Sequence, residues 1–468
     1  MKGIKMDMTK NTTGANSASG KLPVSEKLAY SFTDGAGNLL YCTITAYILY
    51  FYTDVFGISV AGAGLILLIA RFVDAISAPV WGSIVDHTHT KWGQSRPYFL
   101  WLCIPFAIAT FLAFTAPSNL HGTAKLVYAG VTYILAAGII YTGIQTPITA
   151  ILPNLTSNRT ERVSANTWRM CGGSFGAFVT QSFALPLVAF FGRGNEKNGF
   201  MWVTAIFGIV AIFLFLYAFK ELKERNVATT KPIPFKDSLR AAKGNYPWFI
   251  LVISFVIFWI AQSDRNGIAA YYAKYNMGNV QLASVFNGVG ITGMIATMFI
   301  PFIVKKTNKT ATMLIGLGIA CVGQIGFAFV GNNFVLAVTL WIVATMGAAI
   351  ACAQPFGMLA DTVDYGEWKN GIHAAGFLTA VGSAFCIQLG SGLGSFIPSK
   401  IMAAAGFIAN KTQTAGALTS IRFCFIWLPV IVYIICGLIM CLYFKYEKNE
   451  PKIQAALKER HAKMMANK

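Results

Sequence analysis

Two ionisable residues, Arg71 and Asp74, lie within an apolar stretch that runs from Gly62 to Asp86. Because they are three positions apart, they share one face of a helix. An ionised side chain in the hydrocarbon of a bilayer costs about 3 kcal/mol or more unless it meets a partner or a watery cavity, so such residues usually mark an ion or substrate path. The pair therefore indicates a transporter; a structural ion pair that ties this helix to a neighbour is the alternative.

Two further groups of polar residues interrupt apolar stretches. Asp34, Asn38, Tyr41 and Thr45 are spaced four, three and four residues apart, so they share one helix face. This face predicts either the lining of a cavity or polar contacts between helices.

The other group is centred on Asp264 and Arg265. The planar guanidinium of Arg265 suits a carboxylate or sulfonate, and one hypothesis is that it recognises an acidic substrate. The alternative is that Asp264, or an acid of the first helix, neutralises it.

The elements that position these residues are membrane helices. With 55% hydrophobic and 12% charged residues and a mean hydropathy of +0.57, the chain is too apolar for a soluble domain. Twelve stretches are long enough to span a bilayer, and short alternating strands of a membrane barrel are absent. They cover residues 28–52, 59–85, 98–116, 125–151, 163–191, 200–218, 247–273, 282–304, 311–331, 334–361, 374–398 and 420–444. The sequence predicts an all-α membrane protein of twelve transmembrane helices.

Several functional classes are excluded. The chain has no G-x-x-x-x-G-K-[ST] motif, which argues against an ATP-driven pump. The nine cysteines have no C-x-x-C spacing, and the five histidines fall outside the apolar stretches without ligand spacing. We therefore expect a protein that is not an enzyme, with no catalytic residues, no cofactor and no tightly bound metal.

The distribution of basic residues predicts the orientation. If the N-terminus is cytoplasmic, 27 of the 37 Lys and Arg residues fall on the inner side and six fall in outer loops. This bias predicts both termini in the cytoplasm of a multi-pass cell-membrane protein, and it explains the net charge of +19 without a nucleic-acid partner.

The longest polar interruption divides the twelve stretches into six and six. The predicted organisation is a tail (1–27), an N-terminal six-helix bundle (28–218), a linker (219–246), a C-terminal six-helix bundle (247–444) and a second tail (445–468). A weak repeat supports two related halves: Gln145 lies two residues before Pro147 in the fourth stretch, and Gln354 directly precedes Pro355 in the tenth.

Three segments carry a resemblance to a known family. They are residues 27–59, 70–98 and 359–371, which contain YFYTDVFG, ARFVDAISAPVWGSIVD and LADTVDYGEWKNG. On these three segments, the chain resembles the glycoside–pentoside–hexuronide:cation symporters, the melibiose-permease-like branch of the major facilitator superfamily. The resemblance implies that superfamily's fold and cation-coupled sugar symport by alternating access, with the protein functional as a monomer. An uncoupled sugar facilitator and a carrier for a non-sugar solute are the alternatives.

The resemblance also implies cytoplasmic gates. Asp86, Lys91 and Arg96 after the second helix resemble the superfamily's gate motif, and Asp361, Asp364 and Glu367 are the counterpart in the other half. The alternative is that these charges belong to solvated loops.

For the coupling ion the resemblance implies Asp74, with Thr142 as a supporting ligand. Sodium-coupled members of the family carry a second carboxylate one turn later, where this chain has Ala78. This departure favours a proton or uncoupled flux, although a weak sodium site remains open.

For the substrate the resemblance implies a glycoside, pentoside or hexuronide. Family carboxylates on the first and fourth helices are replaced here by Asn38 and Gln145, an aromatic by Thr149, and the region of the helix-11 lysine contains Gln388. The predicted substrate-binding residues are Asp34, Asn38, Tyr41, Arg71, Gln145, Thr149, Arg169, Asp264, Arg265, Gln354 and Gln388. Tyr133 and Tyr141 have side chains suited to stacking on a sugar ring, with packing as the alternative.

Overall fold

A computed structural model describes residues 21–156, 158–225, 242–330, 333–371, 378–379 and 381–466. In the N-terminal half, α1 is Val24–Tyr50 with a π-helical end at Phe51–Val55, and α2 is Val60–Asp86. α3 consists of Arg96–Trp101 and Cys103–Ala113, and α4 of Thr123–Tyr133, a π-helical segment Ile134–Ile140 and Tyr141–Ala150. After the turn Leu152–Leu155 come α5 (Arg159–Gly192) and α6 (Glu196–Glu221).

The C-terminal half repeats this arrangement. α7 is Tyr246–Tyr271 with a π-helical end at Tyr272–Asn276, and α8 consists of Leu282–Gly288, Ile291–Met298 and Ile300–Lys306. α9 is Lys309–Ala328, α10 is Phe334–Asn370, and α11 consists of the π-helical segment Val381–Phe385 and Cys386–Ala404. α12 consists of Ala415–Arg422, the π-helical segment Phe423–Trp427 and Leu428–Cys441. A turn, Phe444–Glu447, leads to a final helix, α13 (Glu450–Ala466).

The prediction of twelve membrane helices is confirmed. Within the described part of the chain, nine helices are long and apolar enough to cross a membrane. The three predicted membrane helices outside this set of nine are α1, which carries the polar face around Asp34, and the segmented helices α3 and α8. Most of the predicted linker falls on residues 226–241, outside the described residues. α13 was not predicted as a helix. It packs against the end of α10 through Gln454, whose amide donates to Asp364 at 2.7 Å.

Helix starts are set by short polar side chains. Asn195, Asn245, Asn308 and Asn333 each accept a hydrogen bond from a backbone N–H in the first turn of α6, α7, α9 and α10. These caps satisfy amides that have no partner within the helix. Successive helices run in opposite directions, so both described ends of the chain lie at one membrane face, here called the tail face. The opposite face is called the distal face.

Glycines bring α1 against α5 at backbone distance. A Cβ atom on Gly172 would lie 2.1 Å from the carbonyl oxygen of Ser31, and one on Gly176 would lie 2.3 Å from that of Gly35. Small residues at such a contact let membrane helices pack closely. The same contact places Arg169 of α5 opposite Asp34 of α1.

The two halves meet where α2 crosses α11. A Cβ atom on Gly64 would lie 2.5 Å from the side chain of Ser399, and one on Gly392 would lie 2.8 Å from Cγ of Arg71. The absence of a side chain at Gly392 therefore makes room for Arg71 at the boundary between the halves.

We predict that Gly172→Val destabilises the protein by about 1–3 kcal/mol, because the new side chain must push α5 away from the backbone of α1. Thermal unfolding of the purified protein in detergent measures the effect. Gly318→Ala in α9 is the matched control, since a Cβ atom there meets nothing within 4 Å. Equal melting temperatures for the Gly172 variant and the parent would contradict the prediction.

Candidate functional site

Arg71 forms the centre of a polar cluster drawn from four helices. Its Nη1 donates to the hydroxyl of Tyr41 on α1 and to Oε1 of Gln388 on α11, each at 2.7 Å. Its Nη2 donates to the hydroxyl of Tyr133 on α4 at 3.3 Å. The guanidinium of α2 thus joins two helices of its own half to one helix of the other half.

Asp74 lies one turn further along α2 and is only 2% exposed. Its Oδ1 accepts a hydrogen bond from the Thr142 hydroxyl of α4. Its Oδ2 is 4.0 Å from Nη1 of Arg71 and has no hydrogen-bond partner. The structure therefore brings the two predicted coupling residues together and leaves one carboxylate oxygen of Asp74 without a hydrogen bond.

The π-helical segment Ile134–Ile140 explains how α4 presents both Tyr133 and Thr142 to α2. Nine residues of a regular α-helix make about two and a half turns, which would place these side chains on opposite faces. The wider π-helical turn absorbs extra residues and rotates the two side chains toward the same neighbour. The segment itself contacts α2, because the carbonyl of Gly138 accepts from the Ser77 hydroxyl at 2.6 Å.

An ion pair between α1 and α5 forms a second part of the cluster. Nη1 of Arg169 lies 3.0 Å from Oδ2 of Asp34, and its Nε donates to Asn166 at 3.1 Å. A Cβ atom on Gly173 would lie 2.6 Å from the same carboxylate oxygen, so the close packing of α5 leaves room for this acid. The amide of Asn38 donates to the backbone carbonyl of Asp34 at 3.0 Å.

Aromatic and amide groups lie between these two charged pairs. The rings of Tyr41 and Tyr141 stack with a centroid distance of 3.9 Å and an interplanar angle of 5°. Gln145, half-buried on α4, has an Oε1 atom without a hydrogen-bond partner. Together with Asn38 and Gln388, these residues offer ring faces, amide donors and amide acceptors, which are the groups that bind sugar hydroxyls.

Two predicted substrate residues have only local contacts. The hydroxyl of Thr149 is exposed and bonds to carbonyls of its own helix, the shorter contact being 2.9 Å to Thr146. Gln354 is buried in α10, where its amide donates to the carbonyl of Ile350 at 3.3 Å. The structure does not bring either of them to the Arg71 cluster through a hydrogen bond.

Arg265 and Asp264 lie apart from the cluster, inside the C-terminal half. Nη2 of Arg265 donates to Thr345 of α10 at 3.1 Å, and its guanidinium lies 4.4 Å from the ring centroid of Trp341. Asp264 is fully buried, and both of its carboxylate oxygens lack a hydrogen-bond partner. Arg265 is thus held by hydroxyl and aromatic groups of its own half, and it does not form an ion pair with Asp264.

The predicted gate of the N-terminal half is held by a residue that sequence reasoning missed. The carboxylate of Glu224, just after α6, accepts from the backbone N–H groups of Gln94, Ser95 and Arg96 at 3.1, 2.8 and 2.9 Å. Nη2 of Arg96 donates to the carbonyl of Phe219 at 2.7 Å. The sequence signal that could have identified Glu224 is an acidic residue directly after a helix that ends at the tail face. Asp86 and Lys91 are both exposed.

The counterpart in the C-terminal half is also held within its own half. Asp361 lies 2.5 Å from Nζ of Lys309, which in turn lies 3.9 Å from Glu450 of α13. Asp364 accepts from α13 as described above, and Glu367 is half-buried on the same helix, α10. Both predicted gates therefore contact residues of their own half in this conformation. Within the described residues, no three His, Cys, Asp or Glu side chains are grouped to hold a metal ion.

The chain matches a known protein family along most of its length. The family described as MFS/sugar transport protein matches residues 29–448. The chain belongs to the glycoside–pentoside–hexuronide:cation symporter family. It is 40% identical to the isoprimeverose transporter of Lactiplantibacillus pentosus over 94% of this chain and 92% of that protein. It is 30% identical to a putative sulfoquinovose importer of Salmonella typhimurium, with 94% and 93% covered.

Solved structures show the same fold at low sequence identity. A bacterial homologue of the lysosomal transporter Spinster, in an inward-facing and unoccupied conformation, has a TM-score of 0.71 at 14% identity, with 93% of this chain and 99% of that chain covered. A D-xylose–proton symporter has a TM-score of 0.65 at 12% identity, with 89% and 97% covered. The symporter has the fold of the major facilitator superfamily, and it is a sugar carrier coupled to a cation rather than an enzyme.

We predict that Arg169→Gln destabilises the symporter by about 3 kcal/mol, because it leaves the Asp34 carboxylate buried without its cation. The double variant Asp34→Asn/Arg169→Gln should recover most of this loss, since both charges are then removed. Thermal unfolding of the parent, the two single variants and the double variant measures the coupling. Additive losses would show that the two side chains do not stabilise one another.

Proposed function

We propose that the symporter carries a neutral glycoside together with a proton across the cell membrane. The observation that supports this most directly is the environment of Asp74: one buried carboxylate beside one arginine, with a single free oxygen.

The charge balance at Asp74 favours a proton. The ionised carboxylate already has a cation in Arg71, so a sodium ion would add a second positive charge to a buried site. Sodium is a hard cation that needs several oxygen ligands, and the family's second carboxylate is replaced by Ala78, which is exposed. A proton needs only the free Oδ2 atom. Sodium symport and uncoupled flux are the competing outcomes.

Protonation of Asp74 would couple the ion to the movement of the two halves. With Asp74 ionised, the guanidinium of Arg71 is attracted to the Asp74 carboxylate of its own helix as well as to Gln388 of α11. With Asp74 neutral, the attraction to Asp74 is lost. The hydrogen-bond network that joins Arg71 to α1, α4 and α11 is then free to rearrange around a sugar. The proton and the sugar then bias the same equilibrium between conformations, which is the requirement for coupled transport.

The groups around this site favour a neutral sugar. Each arginine of the cluster already has an acid beside it, Arg71 with Asp74 and Arg169 with Asp34. Arg265, for which recognition of an oxyanion is one of two hypotheses, contacts residues of its own half. A sulfonate or carboxylate would therefore have to displace an existing acid. Among the relatives, the isoprimeverose transporter matches this chemistry, because isoprimeverose is a neutral disaccharide.

The basic residues favour a cytoplasmic tail face in the cell membrane. The hydrogen bonds between described residues of the two halves involve Tyr41, Arg71 and the distal end of α1. With that orientation the conformation is inward-facing. The gate residues named above would then engage across the halves only when the cytoplasmic side closes.

We further propose that one chain is the transporting unit.

We expect Asp74→Asn to abolish accumulation of sugar against a gradient, because the amide cannot take up a proton. Uptake of labelled isoprimeverose into proteoliposomes under a proton gradient, and separately under a sodium gradient, measures this. Glu221→Gln is the matched control, since it removes a carboxylate at the tail-face end of α6 that belongs to none of the proposed sites. Accumulation driven by sodium alone would contradict proton coupling, and wild-type protein that only equilibrates the sugar would be a facilitator.

We expect unlabelled isoprimeverose and other neutral glycosides to compete for uptake, whereas glucuronate and sulfoquinovose should not. Gln145→Ala should raise the KM for the neutral sugar about threefold to tenfold, because it removes amide hydrogen bonds. Arg265→Ala should leave the order of competitors unchanged. Competition by the acidic sugars that is lost in Arg265→Ala would instead restore the oxyanion hypothesis.

A further inference from the structure

Helices α1 and α7 end at the distal face with the same backbone arrangement. Each ends in a π-helical turn: the N–H of Phe56 donates to the carbonyl of Phe51, and the N–H of Met277 donates to that of Tyr272. Each turn is followed by a glycine with positive φ, Gly57 at +79° and Gly278 at +75°. The first helices of the two halves are therefore structural counterparts in this region, and residue 54 corresponds to residue 275, 221 positions later.

These two turns contact one another directly. Oδ1 of Asp54 accepts from Nζ of Lys274 at 2.8 Å and from the hydroxyl of Tyr275. The hydroxyls of Thr53 and Tyr271 are 2.7 Å apart. Each turn thus supplies its polar side chains to the other, and an acid of the N-terminal half pairs with a cation of the C-terminal half.

Two further residues extend the network. Asn410, in the loop between α11 and α12, donates to the backbone carbonyl of Asp54 at 2.5 Å and accepts from Lys274 at 2.8 Å. Lys274 also donates to the hydroxyl of Tyr50 at 3.1 Å, and that hydroxyl donates to Glu196 of α6 at 2.9 Å. The network therefore spans α1, α6, α7 and the loop after α11.

Burial shows that this network closes the distal face. The side chain of Asp54 is 0% exposed, although it lies at the end of a membrane helix. One apolar cluster runs from the N-terminal half into the distal ends of α7, α8, α9 and α12, whereas the second apolar cluster contains C-terminal residues alone. The two halves are thus packed together at the distal face, with the ion pair enclosed between them.

We propose that these residues form a distal latch, defined as Asp54, Lys274, Tyr275 and Asn410, which keeps the distal face closed and must break each time the carrier opens there. A π-helical turn differs from an α-helical one by a small local rearrangement. Rewinding either turn would rotate its side chains by about 100° and separate Asp54 from its partners. The latch is therefore a two-state element that sugar and ion binding can bias.

The test is a distance across the distal face, measured without sugar. Spin labels are attached at Asn119→Cys in the N-terminal half and Thr412→Cys in the C-terminal half, both exposed, after the exposed Cys171 and Cys441 are replaced by serine. Distance distributions are compared for the parent, Asp54→Asn and Lys274→Met. We expect each variant to increase the long-distance population about fivefold to thirtyfold.

Lys125→Met is the matched control. Nζ of Lys125 donates to the carbonyl of Phe56 at 2.9 Å, so it is a cation at the same turn that bonds only within the N-terminal half. The control should leave the distances unchanged. Unchanged distances in Asp54→Asn and Lys274→Met, or an equal change in the control, would overturn the proposal.

Two additional variants cover the case in which a single charge change prevents folding. Asn410→Ala removes one hydrogen bond across the halves, to the carbonyl of Asp54, without changing a charge, and should give a smaller increase of about threefold. The exchange Asp54→Lys/Lys274→Asp should return the distribution toward that of the parent. No change in Asn410→Ala would also overturn the latch. Because no sugar or ion gradient is used, this outcome is independent of the proposed substrate and coupling ion.

Discussion

A buried charge must have a partner, and in this symporter that constraint determines how the helices meet. Arg71 and Asp74 lie near the middle of α2, where neither is stable alone in hydrocarbon. Their partners come from α1, α4 and α11. Since α11 belongs to the other half, the same interaction that stabilises the charge also links the two bodies that must move during transport. Stability and function therefore depend on one set of hydrogen bonds.

Close packing is the second condition for this site. The glycine contacts between α1 and α5 bring an acid and an arginine from helices that are far apart in the sequence into contact. The gap at Gly392 admits Arg71 at the boundary of the halves. In both places the absence of a side chain, rather than the presence of one, creates the polar site, because helices with larger residues would hold the charged groups apart.

Much of this architecture could be predicted from the sequence. Hydropathy predicted the twelve helices. The spacing of Asp34, Asn38, Tyr41 and Thr45 predicted one face of a helix, and α1 is helical through all four positions. The roles of Tyr133 and Ser77 could not be predicted, because they depend on a π-helical turn that shifts the helical phase, and regular periodicity contains no signal for it. Asp264 and Arg265 show the opposite case: their residue types suggested a binding site, but the rotation of α7 directs them into the interior of the C-terminal half.

The π-helical segment of α4 also bears on how the sequences of relatives should be aligned. Loss of one residue between Ile134 and Ile140 would convert the segment to a regular helix and still leave α4 long enough to cross the bilayer. The flanking segments would keep their relative phase, because the eight remaining steps of a regular α-helix make about two and a quarter turns, so Tyr133 and Thr142 would still face α2 together. A one-residue gap at this point is therefore compatible with the same ion site, whereas a relative of full length with a regular helix here would turn the residue aligned with Thr142 toward a different neighbour.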